Sequence, residues 1–154
     1  MHTRTVAAAP PPAFTRLAWL LAGAGTLPFL GGIVDLASGG GAALAVVPIY
    51  AAVIASFIAG IHWAAALLEP HRFGIRLLIA SNGAALLGWL GALLPPTPGF
   101  LLFAVLFPAL AGVDRQLWRV GLWPLWFWHL RAAISAVVTL ACLALAALAA
   151  GRLA

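Results

Sequence analysis

The chain has 154 residues, 65% of them hydrophobic and only 7% charged, with a mean hydropathy of +1.12 and a formal net charge of +5. A soluble domain carries about 25% charged residues, so this composition excludes one and indicates a single-domain integral membrane protein. The basic balance does not point to nucleic acid, because the arginines lie between apolar runs and not on the face of a soluble fold.

Taken in order, residues 1–16 read as a short disordered tail with Arg4 and Arg16, and residues 17–154 as one transmembrane domain. The first span covers about 17–36, long enough for a hydrocarbon core near ~30 Å; Pro28, Gly31 and Gly32 should bend its second half. Asp35 ends it in an exposed loop, and 38–41 is a turn. The second span, 43–68, places Ala52, Ser56 and Gly60 four residues apart, a spacing that lets another helix approach closely. His62 and Trp63 follow, then a wet connection around Glu69 to Arg72. The third span, 76–94, contains Ser81 and Asn82 and a second small-residue ladder, Ala84, Gly88 and Ala92. Pro95, Pro96 and Pro98 separate it from a short fourth span, 99–113, which Pro108 should kink. The fifth, 124–150, starts at Pro124 and carries Arg131, Ser135, Thr139 and Cys142 at spacings that share one face.

The expected architecture is therefore all-α, a polytopic bundle of five transmembrane helices. Arg4, Arg16, Arg72, Arg76, Arg115 and Arg119 fall on the N-terminal side and Arg152 alone on the other. The positive-inside rule then puts the N-terminus in the cytoplasm and the C-terminus outside. The membrane would be a bacterial inner membrane, as the all-arginine, Ala- and Gly-rich composition suggests a GC-rich genome, or the mitochondrial inner membrane in a eukaryote. Cys142 is the sole cysteine, so no intrachain disulfide can form.

Residues 114–135 hold four of seven Trp, three of eight Arg, one of three acids and one of four His. Trp123, Trp126 and Trp128 around Pro124 read as an interfacial belt. Arg131 lies roughly 10 Å beyond Pro124 on a helix, inside the apolar boundary, where an arginine costs about 2.5–3.5 kcal/mol on insertion scales. At that depth His62, Asn82, Asp114, Arg115, His129 and Arg131 reach one level from four helices. One reading is an interhelical clamp, with Asp114 paired to Arg115 or Arg131 and with Asn82 and His62 bonding between helices. The other is a ligand or headgroup pocket built from His62, Trp63, Asn82, Asp114, Arg115, Trp126, His129, Arg131 and Ser135. No hydrolase, zinc-protease or Walker motif is present, and no zinc-type ligand set occurs. No cofactor is expected; a haem held by His62 and His129 is the weaker alternative.

Three stretches, YAAVIASFIAGIHW at 50–63, SNGAALLGW at 81–89 and DRQLWRVGLWPLWFWHLR at 114–131, carry a resemblance. Together they resemble the membrane family of domain of unknown function 3429, which includes transmembrane protein 69. The likeness covers about 50–139 and departs at Ala59, where the family has the first of two glycines. It implies a small multi-span protein with no established activity. The functional expectation is a non-enzymatic membrane protein whose cytoplasmic-side pocket takes a lipid, a quinone-like molecule or a partner subunit, in an accessory or assembly role. A homo-oligomer is a further partner option. A solute carrier or channel lined by Arg131, Ser135 and Thr139 is one alternative, and a haem-bearing redox protein another.

Overall fold

The computed structural model describes residues 10–152, which form helices and turns with no strand among them. Six α-helices are present among these residues: α1 (Pro12–Ala24), α2 (Leu27–Ala37), α3 (Ala43–Leu68), α4 (Ile75–Leu93), α5 (Pro96–Arg119) and α6 (Leu125–Ala150). A π-helical turn, Pro70–Gly74, leads into α4. With α1 and α2 in series as Pro12–Ala37, five stretches are long and apolar enough to cross a membrane, as the hydropathy pattern predicts. The protein is multi-pass and all-α.

The first span begins earlier than expected. Pro12 sits in the first turn of α1, where proline lacks only an N–H that has no helical partner; the rest of the predicted tail, residues 1–9, lies outside the described residues. The bend predicted from Pro28 falls just ahead of it, at Gly25 and Thr26 between α1 and α2. Proline cannot bond back to residue 24, and its ring crowds that carbonyl. The chain re-forms with Phe29 N–H donating to Thr26 O at 3.1 Å, which frees the Gly25 carbonyl. The Tyr50 hydroxyl of α3 donates to that carbonyl at 2.9 Å. Local proline chemistry is thus tied directly to packing between spans.

The fourth span is longer than expected, Pro96–Arg119 in place of 99–113. Pro96 and Pro98 occupy its first turn, where they start a helix instead of breaking one. At its other end Asp114 stays helical and buried, because partners from other helices reach it. Asp35 also differs from its expected place in an exposed loop. It lies on α2, and its Oδ2 accepts the Ala43 N–H at 2.9 Å, capping the start of α3. Arg152 closes the same end by donating to Leu36 O at 2.6 Å.

α3 packs chiefly on α4 and α5 on α6, with α2 wedged against α3 and α6. Phe29, Phe100, Phe103 and Phe107 are fully enclosed at the centre. Phe29 meets Phe107 edge-on at 6.0 Å, a favoured aromatic geometry. Leu20, Val34, Phe57, Ile75, Val105 and Leu140 point outward at two-thirds exposure or more, a surface that matches lipid and not water.

The small-residue ladder on α4 lies at its interface: Ala84 and Gly88 are buried, Ala92 is half-buried, and a Cβ on Gly88 would stand 3.2 Å from Ala55 Cβ and 3.5 Å from Ala52 O. On α3 the ladder is displaced. Ser56 and Gly60 are exposed, a Cβ on Gly60 would meet nothing within 4 Å, and the enclosed residues are Ala51, Ala55 and Ala59. One position is about 100° of rotation, enough to turn Ser56 and Gly60 from neighbour to lipid. Of the predicted set on α3, Ala52 lies against Gly88 of α4.

Candidate functional site

His62 lies six residues before the end of α3, Asp114 five before the end of α5, and Arg131 six after the start of α6. At about 1.5 Å per residue each stands roughly 8–9 Å in from the same end of the bundle. They meet there. His62 Nε2–H donates to Asp114 Oδ1 at 2.9 Å, and Arg131 Nε–H donates to Asp114 Oδ2 at 2.7 Å. His62 is 0% exposed, Asp114 1% and Arg131 8%.

The chemistry follows from these partners. A guanidinium keeps its proton under all physiological conditions, so Arg131 can sit among helices only if something neutralises it. Asp114 does so within one hydrogen bond. Because an ionised carboxylate only accepts, His62 must present Nε2–H, and a neutral imidazole then leaves Nδ1 as a bare acceptor. One carboxylate therefore joins α3, α5 and α6. Two donors or acceptors at the centre remain unspent: His62 Nδ1 and Arg131 Nη2 are buried without a hydrogen-bond partner. One turn further along α6, Ser135 is 4% exposed and its Oγ also lacks a partner.

Arg131 and Ser135 line a cavity of about 450 Å³ between α1, α3, α5 and α6, a volume within the range of small-molecule pockets. The remaining wall is apolar, with Ala22, Ile58, Phe107 and Ile134 among its residues. Leu21 of α1 and Phe57 of α3 also border it and are 65% and 70% exposed. The mouth thus opens sideways, onto the surface that faces lipid.

The other predicted residues do not join this centre. Arg115, adjacent to Asp114, is exposed, so the acid pairs with Arg131 and not with its neighbour. Asn82 is exposed and donates to Leu78 O of its own helix at 2.8 Å. Its neighbour Ser81 makes the interhelical bond instead, donating to Ala59 O at 2.6 Å. His129 is exposed and Trp63 is 43% exposed. His62 is committed to Asp114, so the two imidazoles of the haem alternative stand in different settings, one enclosed and one outward. Among the described residues no three His, Cys, Asp or Glu side chains cluster as metal ligands.

The aromatic residues form a layer at the same end. Trp118 stacks on Trp128 at 6.2 Å and 11°, and Trp126 meets both Phe14 and Phe127 edge-on. Arg16, Arg72, Arg76, Arg115 and Arg119 are exposed around it. Such a layer of rings and cations is suited to headgroup level. Sequence reasoning did not find the α1 wall of the cavity or Phe107, since apolar residues carry no mark of which void they will border.

A family described as a protein of unknown function, DUF3429, matches residues 14–148. The chain belongs to the DUF3429 family. The match takes in most or all of each of the five apolar spans, with the His62, Asp114 and Arg131 centre and the cavity beside it. No curated protein and no solved structure matches the chain.

Proposed function

We propose that this DUF3429 protein is an accessory membrane protein that holds a neutral, lipid-soluble, carbonyl-bearing molecule of the quinone or acyl-ester type beside Arg131 and Ser135. One observation carries the reading. Arg131 Nη2 and Ser135 Oγ are buried without partners, and both residues border an apolar cavity that opens toward lipid. Buried donors without partners are rare and costly, and a ligand oxygen would satisfy both. Asp114 cancels the charge of Arg131 at 2.7 Å, which favours a neutral acceptor over an anionic headgroup. A phosphate in this site would be a second negative charge competing with Asp114 for one cation.

In this reading the triad is a support for the ligand site. Asp114, itself held by His62, engages the guanidinium through Nε and leaves Nη2 without a protein partner, while Ser135 stands one turn away on the same face. In this reading the basic end faces the cytoplasm, in keeping with the positive-inside rule, and the pocket lies in the cytoplasmic third of the membrane. Access is sideways from the bilayer, past Leu21 and Phe57.

The experiment is quenching of tryptophan fluorescence in nanodiscs by a short-chain benzoquinone. The reading expects a saturable phase with one site per chain. Ser135→Phe from α6 and Ala22→Phe from α1, which both fill the cavity, weaken it at least ~10-fold, the effect of losing about 1.4 kcal/mol. An alkyl phosphate does not compete and a monoacyl ester does. Quenching that never saturates, or that both filled variants leave unchanged, would overturn the assignment.

A further inference from the structure

We infer that the outward face of α4 is the interface of a parallel homodimer, with Asn82 of each copy meeting on the two-fold axis. The inner face of α4, including Ser81, Ala84, Gly88 and Gly91, is buried against the rest of the bundle. Its outer face presents Ile75, Ile79, Asn82, Leu86, Trp89 and Leu93, at successive spacings of four, three, four, three and four. The five apolar members are 62–75% exposed. This is the heptad seam of a two-stranded coiled coil, laid along a helix that has nothing packed on that side.

Lipid could cover the apolar members, but it cannot serve Asn82. The residue lies seven positions into α4, roughly 10 Å from its start. Its amide gives one N–H to Leu78 O within the same helix. That bond leaves the second N–H and the carbonyl oxygen facing hydrocarbon, where unpartnered polar groups are disfavoured.

The partner with matching chemistry at matching depth is another Asn82. All copies insert the same way up, so two α4 helices placed face to face run parallel and bring like residues to the same level. With one N–H committed to Leu78 O, each amide keeps one free donor and one acceptor, so two amides related by a two-fold axis satisfy each other reciprocally. A single asparagine in such a seam also fixes register and favours two strands. The cavity beside Arg131 is bordered by α1, α3, α5 and α6 and not by α4, so dimerisation leaves its mouth open.

The test is subunit counting by single-molecule photobleaching in bilayers across a dilution series, with the full chain. Wild type should show a monomer–dimer equilibrium, and Asn82→Ala and Asn82→Leu should weaken it about 10-fold, the scale of interhelical amide bonding in membranes. Helix content and melting temperature in detergent identify any variant that fails to fold. Cysteine cross-linking supplies the geometry: N82C and W89C should form intermolecular disulfides, while V53C on α3 and L140C on α6 should not. A protein monomeric at every dilution, a folded N82L that dimerises like wild type, or cross-linking at position 53 or 140 in place of 82 would overturn the inference.

Discussion

Replacing Asp114 by leucine should harm the protein more than replacing Asp114 and Arg131 together. In D114L the guanidinium loses its 2.7 Å acceptor while Nη2 is already unpartnered, and it has no means of shedding its charge. Removing one member of a buried ion pair costs about 3–5 kcal/mol. Adding R131L removes the stranded cation, which itself costs about 2.5–3.5 kcal/mol at a helix centre. His62 Nε2 loses its partner in both variants, so that loss cancels in the comparison. The double variant should therefore recover about 2.5–3.5 kcal/mol relative to D114L. Reversible unfolding in mixed micelles across a denaturant series measures the difference. If D114L unfolds within about 0.5 kcal/mol of wild type, or if R131L adds to the damage, the claim that Asp114 neutralises Arg131 is wrong.

Other variants probe the packing that brings the three helices together. Gly88→Val would drive a branched side chain into Ala55 and the Ala52 carbonyl and should cost about 1–3 kcal/mol as overpacking, whereas Gly60→Val meets open space and should stay within about ±0.5 kcal/mol; the same unfolding assay reads both. Asp35→Ala removes the cap on Ala43 N–H and should cost about 0.5–2 kcal/mol, with hydrogen exchange rising first in the opening turn of α3. Tyr50→Phe strands the Gly25 carbonyl at about 0.5–1.5 kcal/mol, and faster exchange around the break between α1 and α2 would report it.

The five spans were legible because hydrophobic run length is a one-dimensional property. The phase of α3 was open to misreading, since Ala51, Ala55 and Ala59 run beside Ala52, Ser56 and Gly60 and both ladders are small. Glycine and serine pointed to the second. His62 decides for the first: it lies seven residues after Ala55 and three after Ala59, so burying it carries those alanines inward and turns Ser56 and Gly60 out. The same logic separates Ser81 from Asn82. Ser81 shares a face with Ala84 and Gly88 and bonds α3, which leaves its neighbour about 100° away toward lipid. Candidates for the buried pair were visible as an arginine inside the apolar boundary and an acid at a similar depth. Which arginine Asp114 would choose was not, because Arg115 is its neighbour in sequence and only the crossing of α5 and α6 brings Arg131 within 2.7 Å. Two of the residues lining the cavity, Arg131 and Ser135, were legible in the sequence; its α1 wall was not, since that wall depends on the break at Gly25 and Thr26 ahead of Pro28.

Native mass spectrometry of wild type and Ser135→Phe, each released from mild detergent, bears most directly on the claim that the cavity beside Arg131 holds a lipid-soluble guest. The account predicts one neutral small molecule retained per chain in wild type, with a mass in the quinone or acyl-ester range, and none in the filled variant. Bare protein in both, an adduct that survives Ser135→Phe undiminished, or retention of an anionic phospholipid in place of a neutral molecule would contradict it.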